Sequence, residues 1–201
     1  MDPRRPLNAV TVTELVARVW SSPARLGAAR LVCVDGPAGS GKTTLAARLV
    51  TALGDAATLV HLEELYAGWT ITGAVARLEA GVLRPLAADR AGGYHRYDWA
   101  AERFAPEPTS VPVRPVLVVE GCGSSPGRLD PWTTLRIWVE APAELRVARG
   151  LARDGAGLEP QWRRWQLTEA AEFARENTRV RAHLRLDGAA ASPTGPVVPL
   201  A

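Results

Sequence analysis

The residues whose types and spacing best suit chemistry form one short run, Gly36-Pro37-Ala38-Gly39-Ser40-Gly41-Lys42-Thr43. Gly36-x-x-x-x-Gly41-Lys42-Thr43 is a complete phosphate-loop pattern. Its glycines let backbone N–H groups turn inward on phosphate oxygens, and the helix expected behind it adds the positive end of its dipole. The expected nucleotide contacts are Gly36, Ala38, Gly39, Ser40, Gly41, Lys42, Thr43 and Thr44. Lys42 is expected to reach the β- and γ-phosphates of ATP, and the Thr43 hydroxyl to meet Mg²⁺. Lys42 is also the chain's only lysine; the other basic residues are all arginine. A chain that writes arginine everywhere else keeps a lysine where a compact point charge is needed.

Carboxylates at the ends of apolar runs come next. Glu63 and Glu64 follow Thr58-Leu59-Val60-His61-Leu62, and Glu120 follows Val116-Leu117-Val118-Val119. Phosphoryl transfer to a hydroxyl needs a group that orients it and accepts its proton. Glu63 is the first candidate and Glu64 the second. Glu120, followed by Gly121, suits a magnesium shell, since Mg²⁺ takes one or two carboxylates and keeps several waters. Arg146, Arg149 and Arg153 recur at helical spacing on one face. Arg149 and Arg153 are the expected phosphate clamps, because arginines can neutralise charge on a phosphoryl group in transfer. Gly92-Gly93-Tyr94-His95-Arg96-Tyr97-Asp98-Trp99 is rich enough in aromatic and polar groups to hold a flat ligand. Trp162, Trp165 and Phe173 read as core.

These residues must be positioned by an alternation of short apolar runs and helical segments. Strands are expected at Arg30–Asp35, Thr58–Leu62, Val116–Val119, Leu135–Val139 and Leu184–Leu186. Thr11-Val12-Thr13-Glu14 is a capping box opening a helix to about Trp20. Further helices are expected over Thr43–Leu53 with Gly54 as its cap, Thr72–Ala88 with a break near Gly81 and Pro85, Glu144–Asp154 and Gln161–Val180. Asp89 to Pro115 reads as a long irregular stretch. The pattern implies one α/β domain over residues 1–201, with a parallel sheet of about five strands and helices on both faces. Residues 1–10 are expected to be a loose lead-in and 189–201 a flexible tail.

Composition narrows the class. The chain has 201 residues, 47% hydrophobic and 22% charged, with a net charge of +3. No basic run or arm argues for nucleic acid, and no run approaches a membrane span. Cys33 and Cys122 read as buried thiols, and two cysteines with no signal segment in view point to the reducing cytoplasm.

Taken in order, these motifs resemble the uridine kinase and phosphoribulokinase group of P-loop kinases, closest to short uridine kinase-like proteins of actinobacteria. Val34-Asp35-Gly36 to Thr44 resembles that group's phosphate loop. Glu63-Glu64-Leu65-Tyr66 resembles its acid, bulky residue and tyrosine, which makes Glu63 the base and brings Tyr66 to the acceptor. Arg96-Tyr97-Asp98-Trp99 resembles its nucleoside-binding segment, Glu120-Gly121 its pair after the third strand, and Arg146–Asp154 its lid helix. The resemblance implies a P-loop NTPase fold, the cofactors ATP and Mg²⁺, and a nucleoside acceptor. It departs in one place: the group has aspartate where Glu63 stands. Two other readings remain: a kinase for a sugar, vitamin or antibiotic, or a nucleotide-binding module that signals to a partner protein.

Overall fold

The computed structural model describes residues 10–189 and the backbone of Val198–Pro199. Helix α1 (Val12–Ser21) opens on the expected capping box: Thr11 Oγ1 accepts from the Glu14 amide at 3.1 Å, and Glu14 accepts from the Thr11 amide at 2.6 Å. Strand β1 (Arg30–Asp35) runs into the phosphate loop, and α2 (Lys42–Leu53) leaves it, ending at Gly54. Strand β2 (Ala57–His61) follows. The expected helix over 72–88 is α3 (Ala74–Leu78), a π-helical stretch (Glu79–Leu83) and α4 (Arg84–Ala87). The widened turn carries Gly81, where an added Cβ would lie 2.3 Å from the Gly93 carbonyl oxygen, so only glycine lets the next element pack this close.

That next element corrects the sequence reading. Residues 89–115 are not irregular: β3 (Gly92–Asp98) and β4 (Arg103–Val111) form an antiparallel hairpin of their own. Its pattern is hidden because one end alone is buried, at Tyr94 and Val111, and a register shift lies between His95 and Tyr97. Pro106 and Pro108 lower strand propensity, and both are tolerated in a two-stranded ribbon. Strand β5 (Val116–Glu120), β6 (Thr133–Glu140), α5 (Ala143–Asp154), α6 (Glu159–Glu176), α7 (Thr178–Arg181) and β7 (Leu184–Asp187) complete the domain. A last pair, β8 (Val198–Pro199), lies antiparallel to β7 within the segment expected to be a tail; the expected lead-in 1–9 lies outside the described residues.

The main sheet has the order β2-β5-β1-β6-β7-β8, and the first five are parallel. Its faces follow the two-residue period of the strands. Val32, Val34, Val116 and Val118 pack with Leu15, Leu45 and Leu49 of α1 and α2. Leu31, Cys33, Leu117 and Val119 pack on the other face with Leu78, Tyr94 and Trp165. Burial on both faces explains the unbroken apolar strands. The chain runs from β1 out to β2, back to β5, then past β1 to β6, a reversal of the kind that opens a ligand crevice beyond the strands' carboxyl ends.

Candidate functional site

At those carboxyl ends the structure opens a cavity of about 670 Å³. The phosphate loop forms its floor through Ala38, Gly39, Gly41, Lys42, Thr43 and Thr44. Gly36 lies beneath at φ +138°, where an added Cβ would sit 2.0 Å from the Val139 carbonyl oxygen, so the turn out of β1 excludes every side chain. Ser40 is fully buried and its hydroxyl has no partner among the described residues. Lys42 is only 6% exposed, and its ammonium donates to the Pro37 carbonyl at 3.0 Å, folded along its own loop. Burial disfavours the ammonium, but Cys122, Glu120, Glu169 and Asp35 around it outweigh that and raise its proton affinity. It remains charged.

Three buried carboxylates hold this floor. Asp35, at the end of β1, accepts backbone N–H bonds from Gly36, Gly123 and Ser125 at 2.7–2.8 Å and so ties the loop to the turn after β5. Burial pushes its pKa up to about 6, against the pull of those bonds. Glu120 is 2% exposed and lines the cavity; its Oε1 accepts from Thr43 Oγ1 at 3.2 Å and meets His61 Nδ1 at 2.6 Å. That hydrogen bond raises the His61 pKa. A hydroxyl and a carboxylate are hard oxygen donors that suit Mg²⁺, which needs few protein ligands when phosphates and water supply the rest. Among the described residues no group of three or more His, Cys, Asp or Glu could hold a metal. The third carboxylate, Glu169 of α6, is 2% exposed; it accepts from the Ala38 amide at 2.7 Å and pairs with Arg146 at 2.8 Å.

The adjacent glutamates part. Glu63, on the 3-10 turn Leu62–Leu65 after β2, faces the cavity. Glu64 is turned onto the hairpin, where it accepts from Tyr94 Oη and pairs with Arg96 at 3.1 Å. From α5, Arg149 and Arg153 line the same cavity. Arg149 donates to the carbonyls of Gly39 and Gly188, and Arg153 is paired with Asp154 at 2.6 Å.

The expected acceptor contacts are brought in only in part. Tyr66 lines the cavity, with its hydroxyl donating to the Cys122 carbonyl at 2.8 Å. Arg96, Tyr97 and Asp98 do not line it. Arg96 is on Glu64, Tyr97 packs between Trp99 and Phe104, and Asp98 accepts from the amides of Ala100 and Ala101 in the hairpin turn. Trp99 reaches the cavity instead, with Trp69, Trp162 and Trp165. Trp162 and Trp165 are therefore core and wall at once, whereas Phe173 packs on Trp138. Cys122 is a buried free thiol, as expected of both cysteines, yet lies 3.6 Å from the Lys42 ammonium.

The chain superposes on a possible uridine kinase from Bacillus stearothermophilus with a TM-score of 0.63 at 18% identity, covering 87% of this chain and 96% of that one. The chain has the P-loop NTPase fold. A candidate fructose transport system kinase from Silicibacter sp. TM1040 gives 0.60 at 20% identity, over 84% of this chain and 96% of that one. No protein-family model and no curated protein matches the sequence. In this chain the base of the cavity is the place where phosphate loop and strand-end carboxylates meet. No helix among the described residues is long and apolar enough to cross a membrane.

Proposed function

We propose that the protein is an ATP- and Mg²⁺-dependent kinase that transfers the γ-phosphate to a hydroxyl of a small molecule, with a nucleoside as the leading acceptor. One observation carries the reading: a carboxylate at the end of β2, Glu63, with no side-chain partner among the described residues, shares a single cavity with the phosphate loop and with two arginines of α5. A module that only binds nucleotide needs no such carboxylate opposite its phosphates. The nucleoside rests on the resemblance of Glu63–Tyr66 to uridine kinase-like motifs; of the resembling segment Arg96–Trp99, only Trp99 reaches the cavity.

In this mechanism the loop amides and Lys42 hold the β- and γ-phosphates. Thr43 and Glu120 would hold Mg²⁺, which when bound neutralises phosphate charge. Glu63 accepts the acceptor's hydroxyl proton as that oxygen bonds to the γ-phosphorus. The bond from phosphorus to the β–γ bridging oxygen breaks, and ADP leaves. Arg149 and Arg153 offset charge spread over the phosphoryl oxygens once they exchange their present partners for phosphate. The test is ADP release from ATP and Mg²⁺ with and without a panel of nucleosides. Uridine or cytidine should raise the rate well above background, and Lys42→Ala should lower it by about 100- to 1000-fold. Nucleotide binding with no nucleoside raising the rate would refute the nucleoside acceptor and favour a kinase for another acceptor or a signalling module.

A further inference from the structure

Four of the chain's seven tryptophans, Trp69, Trp99, Trp162 and Trp165, line the cavity that holds Glu63. Trp69 and Trp99 are 42% and 44% exposed, although exposed large apolar groups in a concave site are poorly solvated surface awaiting a partner. The rings form a connected wall: Trp69 meets Trp99 at 5.8 Å and Trp165 at 6.0 Å between centroids, edge to face, and Trp165 meets Tyr66 at 5.2 Å. Tyr97 supports Trp99 from behind at 5.3 Å. The wall is short of free hydrogen-bonding groups. The Tyr66 hydroxyl is committed to the Cys122 carbonyl and the Trp162 N–H to Asp154. What is left near Glu63 is Glu63 itself, the Arg153 guanidinium paired with Asp154, and the N–H groups of Trp69, Trp99 and Trp165, which have no partner among the described residues.

Resting on the kinase reading, we infer that the acceptor is a flat aromatic or heteroaromatic alcohol, held by stacking on Trp69 and Trp99 and not by hydrogen bonds to Arg96, Tyr97 and Asp98. Glu63 is needed for the reacting hydroxyl. The free groups of the tryptophan wall are donors only, so a further hydroxyl set against it would find no free acceptor there for its own proton, and an unpaired buried O–H is costly. Stacking is tolerant of ring identity, since every heteroaromatic ring offers a π-face. Trp69 and Trp99 thus determine specificity for shape, and a polyol without a ring is a poor acceptor.

The experiment uses the full chain with ATP and Mg²⁺ and compares uridine, 2′,3′-dideoxyuridine and 3-(hydroxymethyl)pyridine with fructose and glycerol. All three ring alcohols should be turned over, with KM for uridine and dideoxyuridine within about threefold of each other, and the two polyols should not. Trp69→Ala and Trp99→Ala should each raise the acceptor KM about tenfold with the ATP KM little changed, and Trp99→Phe, which restores a ring, should recover most of the loss. Turnover of fructose or glycerol, with acceptor KM unmoved in the tryptophan variants, overturns the inference and leaves the kinase standing. Quenching of tryptophan fluorescence by dideoxyuridine reads stacking without turnover. Quenching that vanishes in the double variant while no acceptor is phosphorylated supports the ring site and sinks the kinase reading; no quenching by any ring compound overturns the ring site.

Discussion

Glu63 and Glu64 are chemically identical neighbours with different fates. A 3-10 turn after β2 faces one into the cavity and the other into the Tyr94–Arg96 cluster on the hairpin. Of the two, only Glu63 is placed for the proposed proton-accepting role. Glu63→Gln keeps size and polarity but cannot take a proton, so acceptor-dependent kcat should fall by about 100- to 10,000-fold while nucleotide affinity, measured by titration calorimetry, stays within about twofold. Glu64→Gln should cost far less rate, because its carboxylate only braces the hairpin. An equal loss in both variants would remove Glu63 from the mechanism.

At the scale of elements, the site is held where the phosphate loop, α5 and α6 meet, and Glu169 is the joint. It joins the Ala38 amide, the Arg146 guanidinium and, at 3.5 Å, the Cys122 thiol. Arg146, one of the three arginines on the lid-like face, is thus a structural member, and its side chain is itself largely buried beside Glu169. Removing one partner of a buried pair leaves the other charge uncompensated, so Glu169→Ala should lower unfolding free energy by about 3–5 kcal/mol in urea titration. A change below about 1 kcal/mol would mean that water replaces the carboxylate and that the joint carries little. The hairpin is the other element that matters, since Tyr97 holds Trp99 at the cavity from a ribbon outside the main sheet.

Across the whole molecule, the sheet's order places every functional carboxylate at one end, and stability is linked to what that end does with protons. Asp35 has a pKa of about 6 in the folded chain against an ordinary 3.8, chiefly because burial disfavours its charge. The folded state thus holds this proton more tightly than the unfolded state. The contribution is full below pH 3.8 and is lost as pH rises through about 6. Compared with Asp35→Asn, which does not titrate, the wild type should lose up to about 3 kcal/mol of relative stability between about pH 4 and about pH 7. Parallel urea titrations at several pH values measure it. A pH-independent difference between the two proteins would place the Asp35 pKa near its ordinary value.

The sequence by itself determined the floor of the site and the parallel sheet. Complete local motifs carry those features: glycine spacing for the phosphate turn, four-residue apolar runs for strands buried on both faces, and a capping box for α1. Arg30–Asp35, Gly36–Thr43 and the carboxylates at the strand ends were legible because each depends on residues next to it in the chain. Only the tertiary structure decided what the walls are. Whether Trp162 is core or wall and whether Tyr97 touches the cavity or props Trp99 depend on how α6 and the hairpin pack on the rest of the fold, and Glu169 and His61 join the site through contacts across 47 to 131 positions. No local period records such contacts. The hairpin of β3 and β4 was lost for a related reason: it buries one end instead of one face, so the alternation that marks a strand is never written into it.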